Sequence, residues 1–332
     1  MGKGGDAGKV ARAGGLPEDF IWSPTDEPHL SRRKQILEKH PEIKKLYGPD
    51  LSMAPKVIAV VVFQLTMAWY ASTFTNIWAL LAFAHVVSGF GNQSLLLAIH
   101  ELSHFLVFHK PTHNRLLGFV ANVPVMVPVA TSFRKYHMEH HMEQGVDGVD
   151  MDIPHPSEAL MVRILGGVVG KTVWVAFNIA FYAIRPTVLA PKSVGFWDIA
   201  NWAFVLATDA LIYAAFGWKG CVYLLWGSVL GGGLHPMAGH FIAEHYTFNP
   251  KQETYSYYGP LNMLTWNVGY HNEHHDFPRV PGSRLPQVTK IAPEFYENLD
   301  SYSSWTGVIW RYITDPNMGP YSRVKRKSTK TE

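Results

Sequence analysis

LLLAIHELSHFLVFH, residues 95–109, joins a long apolar run to the pattern His-Glu-x-x-His. His100 and His104 are four residues apart, so on a helix both imidazoles project from one face. Taken alone, the pattern is that of a zinc metalloprotease, with Glu101 as general base. Such a site needs one further ligand. The chain offers many more.

RKYHMEHHMEQG (134–145) contains His137, His140 and His141, and NVGYHNEHHDFP (267–278) contains His271, His274 and His275 in the same H-x-x-H-H spacing. The chain has 17 histidines. His29, His40, His85 and His155 stand outside these clusters and read as ordinary hydrogen-bonded residues. The eight clustered ones call for another explanation. Buried together they lose pKa by desolvation, and the neutral imidazoles need a partner, most simply a metal. Zinc takes about three or four protein ligands, so eight exceed one ion. Two octahedral-like ions would use eight or nine and leave positions open, and imidazole suits iron as well as zinc and copper. Glu101, Glu139, Asn272, Glu273 and Asp276 are expected to accept the free ring N–H groups of the ligands and fix their tautomers. Two copies of H-x-x-H-H exceed what a protease requires, so Glu101 reads as a supporting acid.

Around these clusters the chain alternates between polar and apolar. Residues 1–55 and 286–332 are polar, and 56–285 carries the long apolar runs and the histidines. Residues 57–74 and 77–99 are each long enough to span a bilayer, with almost no loop between them. A second pair, 199–218 and 221–241, is joined at Lys219 and Gly220. Residues 116–133 contain Pro124 and Pro128, and 164–184 contain Lys171, so both are expected in the interface. Proline and charge therefore favour four spans over six. The expected architecture is an all-α integral membrane protein with two helical hairpins and a histidine-rich helical cap. Lys and Arg are scarce in the hairpin turns and frequent at the termini, which puts the termini and every histidine cluster on the cytoplasmic side.

The net charge of +3 does not argue for a nucleic-acid partner. RVKRK (323–327) is expected either to be solvated or to lie near anionic headgroups. Cys221 is the only cysteine, which excludes an internal disulfide and permits a reducing compartment. No apolar signal segment is expected in the first 50 residues, and the Gly2 myristoylation pattern fails at Asp6. Asp209 lies within an expected span and should face protein or a polar cavity. Asp209 and Asn122 are candidates for a substrate head group or, equally, for helix–helix hydrogen bonds.

H-x3-H followed by two H-x2-H-H boxes, in this membrane layout, resembles the integral-membrane fatty-acyl desaturase and hydroxylase superfamily. Within it, the chain is similar to the sphingolipid (dihydroceramide) delta-4 desaturases. The strings that carry the likeness are DFIWSPTDEPHLSRRKQILEKHPEIKKLYGPD (19–50), HELSH, GVDGVDMDIP (145–154), GHFIAEHY (239–246) and ETYSYYGPLNMLTWNVGYHNEHHDFP (253–278). The resemblance implies two iron ions held by His100, His104, His137, His140, His141, His271, His274 and His275. It implies one further ligand after the last span, with His245 favoured, then His240, then His235.

A histidine-rich, oxygen-accessible site can activate O₂ and remove hydrogen from an unactivated CH₂, which no side-chain acid or base can do. The resemblance implies dihydroceramide as substrate and a trans double bond between carbons 4 and 5 of its sphingoid base. It also implies the endoplasmic reticulum membrane. VLGGGL (229–234) lies in an expected span, where its glycines read as close packing and not as a dinucleotide site, and HPMAG (235–239) lacks the haem-binding HPGG string. Electrons are therefore expected from outside the chain, and the resemblance implies NADH, through cytochrome b5 and its reductase, as their source. A sphingolipid carbon-4 hydroxylase, or a bifunctional enzyme, is the nearest rival. A membrane metal-binding or transport protein is a remote one, because its ligands would follow a path through the bilayer.

Overall fold

The computed structural model describes residues 15–328. The Gly2 and Asp6 pattern lies outside them. The described chain is mostly helical, with four two-residue strands paired in parallel: β1 (Ile21–Trp22) with β4 (Val324–Lys325), and β2 (Ser256–Tyr257) with β3 (Ser301–Tyr302).

After α1 (Pro28–Lys39) come the first two long apolar helices, α2 (Met53–Ser72) and α3 (Ile77–Ser103). The Asn76 side chain caps α3 by accepting from the N–H groups of Trp78 and Ala79. A single π turn at Ala84–Ser88 interrupts α3 before it reaches His100. Val62, Phe63 and Trp69 on α2 are exposed, as expected of side chains that meet lipid rather than water.

Residues 116–133 do not form one helix. They divide between α4 (Pro111–Asn122) and α5 (Ala130–Met142). Asn122 builds the corner: its Oδ1 accepts from the N–H groups of Val129 and Ala130 at 2.9 and 3.0 Å. Its role is therefore local capping, not head-group contact. After α6 (Pro156–Leu165), the Lys171 stretch forms α7 (Gly167–Ala176) and α8 (Asn178–Leu189), bent by 71°.

The third long apolar helix, α9 (Phe196–Gly231), is broken at Gly217, where φ is 65°. Where two spans joined at Lys219–Gly220 are expected, the structure has one helix with a break at Gly217, a residue without the Cβ penalty of that conformation. Lys219 Nζ donates to the Phe74 carbonyl at 2.6 Å. The expected span 221–241 is helical only to Gly231. A Cβ at Gly232 would collide with Ile179, and one at Gly233 with Ala176, so the Gly231–Gly233 run lets the chain pass close to the α7–α8 bend. Among the described residues, three helices are long and apolar enough to cross a membrane, or four if α7 and α8 together count as one. The chain is accordingly a helical membrane protein.

Buried polar groups tie the spans together. Asn92 accepts from Gln64 Nε2 at 2.5 Å and donates to the Pro124 and Leu224 carbonyls and to Ser228 Oγ. Tyr223 donates to Gln64 Oε1. Asp209 is half-buried, and its Oδ1 has no hydrogen-bond partner.

Four short helices complete the chain: α10 (Gly239–Ala243), α11 (His271–Asp276), α12 (Leu285–Ile291) and α13 (Trp305–Thr314). Ile36 and Ile43 from the N-terminal segment share a core with Phe277, Leu285 and Val288. The two arginines of the basic run 323–327 are not solvated, while Lys327 is exposed. Arg323 and Arg326 are buried and bind Asp152 and Glu253, each at 2.5 Å.

Candidate metal centre

Three helical segments and one loop bring the histidines together. The C-terminal end of α3 supplies His100 and the adjoining His104, α5 supplies His137, His140 and His141, and α11 supplies His271, His274 and His275. The residues after α10 supply His245. The α3 pair is at i and i+4, and the α5 and α11 sets are at i, i+3 and i+4, so one face of each helix points inward. The chain turns sharply out of α3 at Phe105, whose φ is 61°. Arg134 covers the Phe105 ring at 4.0 Å and donates to the Ser103 carbonyl, which holds this turn. Trp266 and Asn267, also left-handed, lead into α11.

Two groups result. Ligand atoms of His100, His104, His137, His141 and His274 lie within 4.8 Å of one another, and so do those of His140, His245 and His275. His271 joins the second group, with its Nε2 2.9 Å from that of His245. The groups adjoin: the His141 and His275 rings stack at 4.3 Å. Within them, Nε2 atoms are 2.8 Å apart for His104 and His137, 3.1 Å for His137 and His141, and 3.0 Å for His140 and His245. Two imidazoles bound about 2.1 Å from one ion in perpendicular directions have nitrogens about 3.0 Å apart. The Nε2 atoms of His100 and His275 are buried without any hydrogen-bond partner. Spacing and orphaned nitrogens both fit a pair of histidine-bound metal ions.

Burial holds His104, His137, His141, His245, His271, His274 and His275 well below the usual imidazole range, and the neighbouring imidazoles add to the shift. The neutral form is the one a metal binds. His140 differs. Burial opposes its protonation, but the adjacent Asp150 charge and hydrogen bond outweigh it and raise its pKa.

The groups that orient these rings are mostly not the ones expected. Glu101 remains near, with Oε1 3.6 Å from His100 Nδ1, although its Oε2 accepts from the Gly282 N–H. Glu139 binds Lys192 instead. Asn272, Glu273 and Asp276 lie on the face of α11 opposite its histidines. Asn272 meets Arg32, Glu273 accepts from Ser256, Tyr258 and Thr289, and Asp276 binds His29, Arg32 and Tyr296. The carboxylates that sequence reasoning missed are Asp150, 3.1 Å from His140 Nδ1, and Glu244, 3.7 Å from His271 Nδ1. Both lie in strings already quoted, GVDGVDMDIP and GHFIAEHY, but no spacing marked them.

His29, His40 and His155 are satisfied by hydrogen bonds to Asp276 and Thr254, to Glu294 and to Ser157. Of the three residues considered for the extra position, only His245 has its ring nitrogen among the clustered ones. His235 lies against His85 and Phe90. The Nδ1 of His240 is 3.1 Å from Glu244 Oε1.

A cavity of about 160 Å³ opens beside both groups. Leu96, Ile179, Phe241 and Val268 give it an apolar wall, and His100, His137, His140, His245 and His271 close one side. It suits an apolar chain laid along a metal pair.

The fatty acid desaturase family model matches residues 76–306, which include all nine clustered histidines. The model described as sphingolipid Delta4-desaturase matches residues 17–52. The chain belongs to the sphingolipid delta-4 desaturase family. It is 54% identical over 321 residues to "Sphingolipid delta(4)-desaturase DES1-like" of Oryza sativa subsp. japonica, covering 96% of each chain. It is 50% identical over 311 residues to "Sphingolipid delta(4)-desaturase DES1" of Drosophila melanogaster, covering 93% of this chain and 96% of that one. A Bos taurus relative, 47% identical over 310 residues (93% of this chain, 95% of that one), is named "Sphingolipid delta(4)-desaturase/C4-monooxygenase DES2". As a delta-4 desaturase family member, the chain is an oxidoreductase of sphingolipid metabolism, and its N-terminal family segment packs through α1 against the histidine-bearing α11.

Proposed function

We propose that this desaturase introduces a trans double bond between carbons 4 and 5 of the sphingoid base of dihydroceramide, giving ceramide. The supporting observation is the meeting of nine imidazoles in two adjoining groups beside an apolar cavity, in a chain of this family. His100, His104, His137, His141 and His274 would hold one iron, and His140, His245, His271 and His275 the other. Two irons so bound supply O₂ activation and hydrogen removal from an unactivated CH₂. The protein's part is positioning. Desolvation keeps seven of the ligand rings neutral, and Asp150 orients His140. The apolar wall orders the substrate chain and excludes water.

Electrons would come from NADH through cytochrome b5 and its reductase, docking on the cytoplasmic face of the endoplasmic reticulum membrane. In this arrangement the termini and the histidine-bearing helices form a cap on that face, over spans paired as hairpins. Carbon-4 hydroxylation is a second reading, favoured by the dual name of the bovine relative. Both outcomes start from the same methylene and differ in whether the next carbon also loses hydrogen or the first gains oxygen.

The test is expression in cells that lack sphingoid desaturation, with dihydroceramide supplied and the lipids analysed by mass spectrometry. A C4–C5 alkene supports the main reading, and a C4 hydroxyl alone supports the second. The absence of both, with cytochrome b5 and its reductase present, contradicts the substrate.

A further inference from the structure

His240 is the cavity-lining histidine whose ring nitrogens lie outside both metal-binding groups. It is buried, at 5% exposure, so it cannot turn to water for a partner. Its Nδ1 lies 3.1 Å from Glu244 Oε1. A carboxylate can only accept here, so in a neutral ring the hydrogen bond places the proton on Nδ1 and leaves Nε2 as an acceptor. That Nε2 is buried without a hydrogen-bond partner. The ring is held by Phe241, 4.0 Å away between centroids. A fixed, buried, unused acceptor on the wall of a substrate cavity asks for a donor from the substrate.

The same carboxylate oxygen of Glu244 lies 3.7 Å from Nδ1 of His271, whose Nε2 points into the second metal-binding group. His240 is therefore one carboxylate away from the reacting centre, and the donor it meets must lie close to the reacting carbon. In a dihydroceramide, carbon 3 carries a hydroxyl directly beside carbon 4.

We propose that His240 Nε2 accepts a hydrogen bond from the carbon-3 hydroxyl of the sphingoid base, with Glu244 fixing its tautomer, and thereby sets which methylene faces the metal pair. This makes His240 a substrate-positioning residue and not a metal ligand. The inference rests on the delta-4 reading above.

The experiment compares the full-length enzyme and its His240→Phe and His240→Gln variants, each with dihydroceramide and with its 3-deoxy analogue, and measures iron per chain throughout. The wild type should lose roughly ten- to hundredfold in kcat/KM on the 3-deoxy compound, as expected for a buried acceptor left unpaired. H240F should lose a similar factor on dihydroceramide, show little further loss on the analogue and keep its iron. H240Q, which retains an acceptor, should recover part of the rate. Equal wild-type rates on the two substrates would overturn the proposal even if H240F fails to fold. Iron loss in a folded H240F would overturn it too, by making His240 a ligand. A wild type inactive on both compounds would remove the delta-4 reading itself, and this inference with it.

Discussion

The histidines differ in what each loss should cost. His274 has its Nε2 3.1 Å from that of His141, and its whole side chain is buried. His274→Ala should abolish product while the protein still inserts, because no neighbouring side chain can supply the missing nitrogen. Asp150→Ala removes no proposed ligand but takes away the carboxylate that orients His140 and that accepts from the Gly145 and Asp152 N–H groups, and should lower iron affinity or turnover by about 10–100-fold. Lipid product and iron content, measured together, separate the two effects. The pH dependence follows from the same rings. Seven imidazoles have folded-state pKa values below the unfolded value of about 6.5. Their stabilisation is therefore complete above that pH and lost as the pH falls through it, by up to about 1.4 kcal/mol per pH unit for each ring. His140, raised by Asp150, contributes the opposite slope. The midpoint of thermal unfolding should fall between pH 7 and pH 5, and a midpoint rising over that range would contradict the assignment. Histidine spacing was legible because i, i+3 and i+4 place rings on one face whatever surrounds the helix. The carboxylates were not. Which acid meets a given Nδ1 depends on packing between segments far apart in sequence, as with Asp150 in the loop after α5.

Among the helices, the apolar runs 57–74 and 77–99 announced α2 (Met53–Ser72) and α3 (Ile77–Ser103) with ends up to four residues away, and the prolines marked the stretch that divides into α4 and α5. The Gly231–Gly233 run was read as close packing inside a span, yet the helix ends there. Close packing was the right cause: the glycines bring the backbone against Ala176 and Ile179, but they also remove the propensity that would carry the helix on. Asn92 is the polar centre of the bundle. Asn92→Ala should leave Gln64, Ser228 and two carbonyls without their partner and cost roughly 1–2 kcal/mol, read as a lower thermal midpoint in detergent. An unchanged midpoint would show that the network adds nothing to span packing.

In the whole molecule, α1 and the segment 323–326 help to hold the histidine-bearing segments in place. Arg32 on α1 binds the fully buried Asp276 on α11 at 2.7 Å, and Asp276 also binds His29, whose ring lies 4.8 Å from His275. At the other end, Arg323 and Arg326 bind Asp152 and Glu253. Composition made the last residues look like a solvated basic tail because charge runs usually are, and acids distant in sequence cannot be seen as partners. Arg32→Ala leaves the buried Asp276 carboxylate with only the hydrogen bonds of His29 and Tyr296 and should destabilise by about 3 kcal/mol, with Arg32→Ala/Asp276→Asn recovering part of the loss. Thermal unfolding of the two variants checks this, and a double variant less stable than the single would contradict it.

The central claim is that nine histidines hold two iron ions and that these perform the sphingoid chemistry. The most direct measurement is iron per purified chain, taken beside NADH- and cytochrome b5-dependent turnover of dihydroceramide, before and after chelation. The account predicts about two irons per chain, as nine imidazoles at octahedral-like ions require. It also predicts a C4–C5 alkene that disappears on chelation and returns with iron. Full turnover by iron-free protein, or restoration by zinc alone, would contradict it.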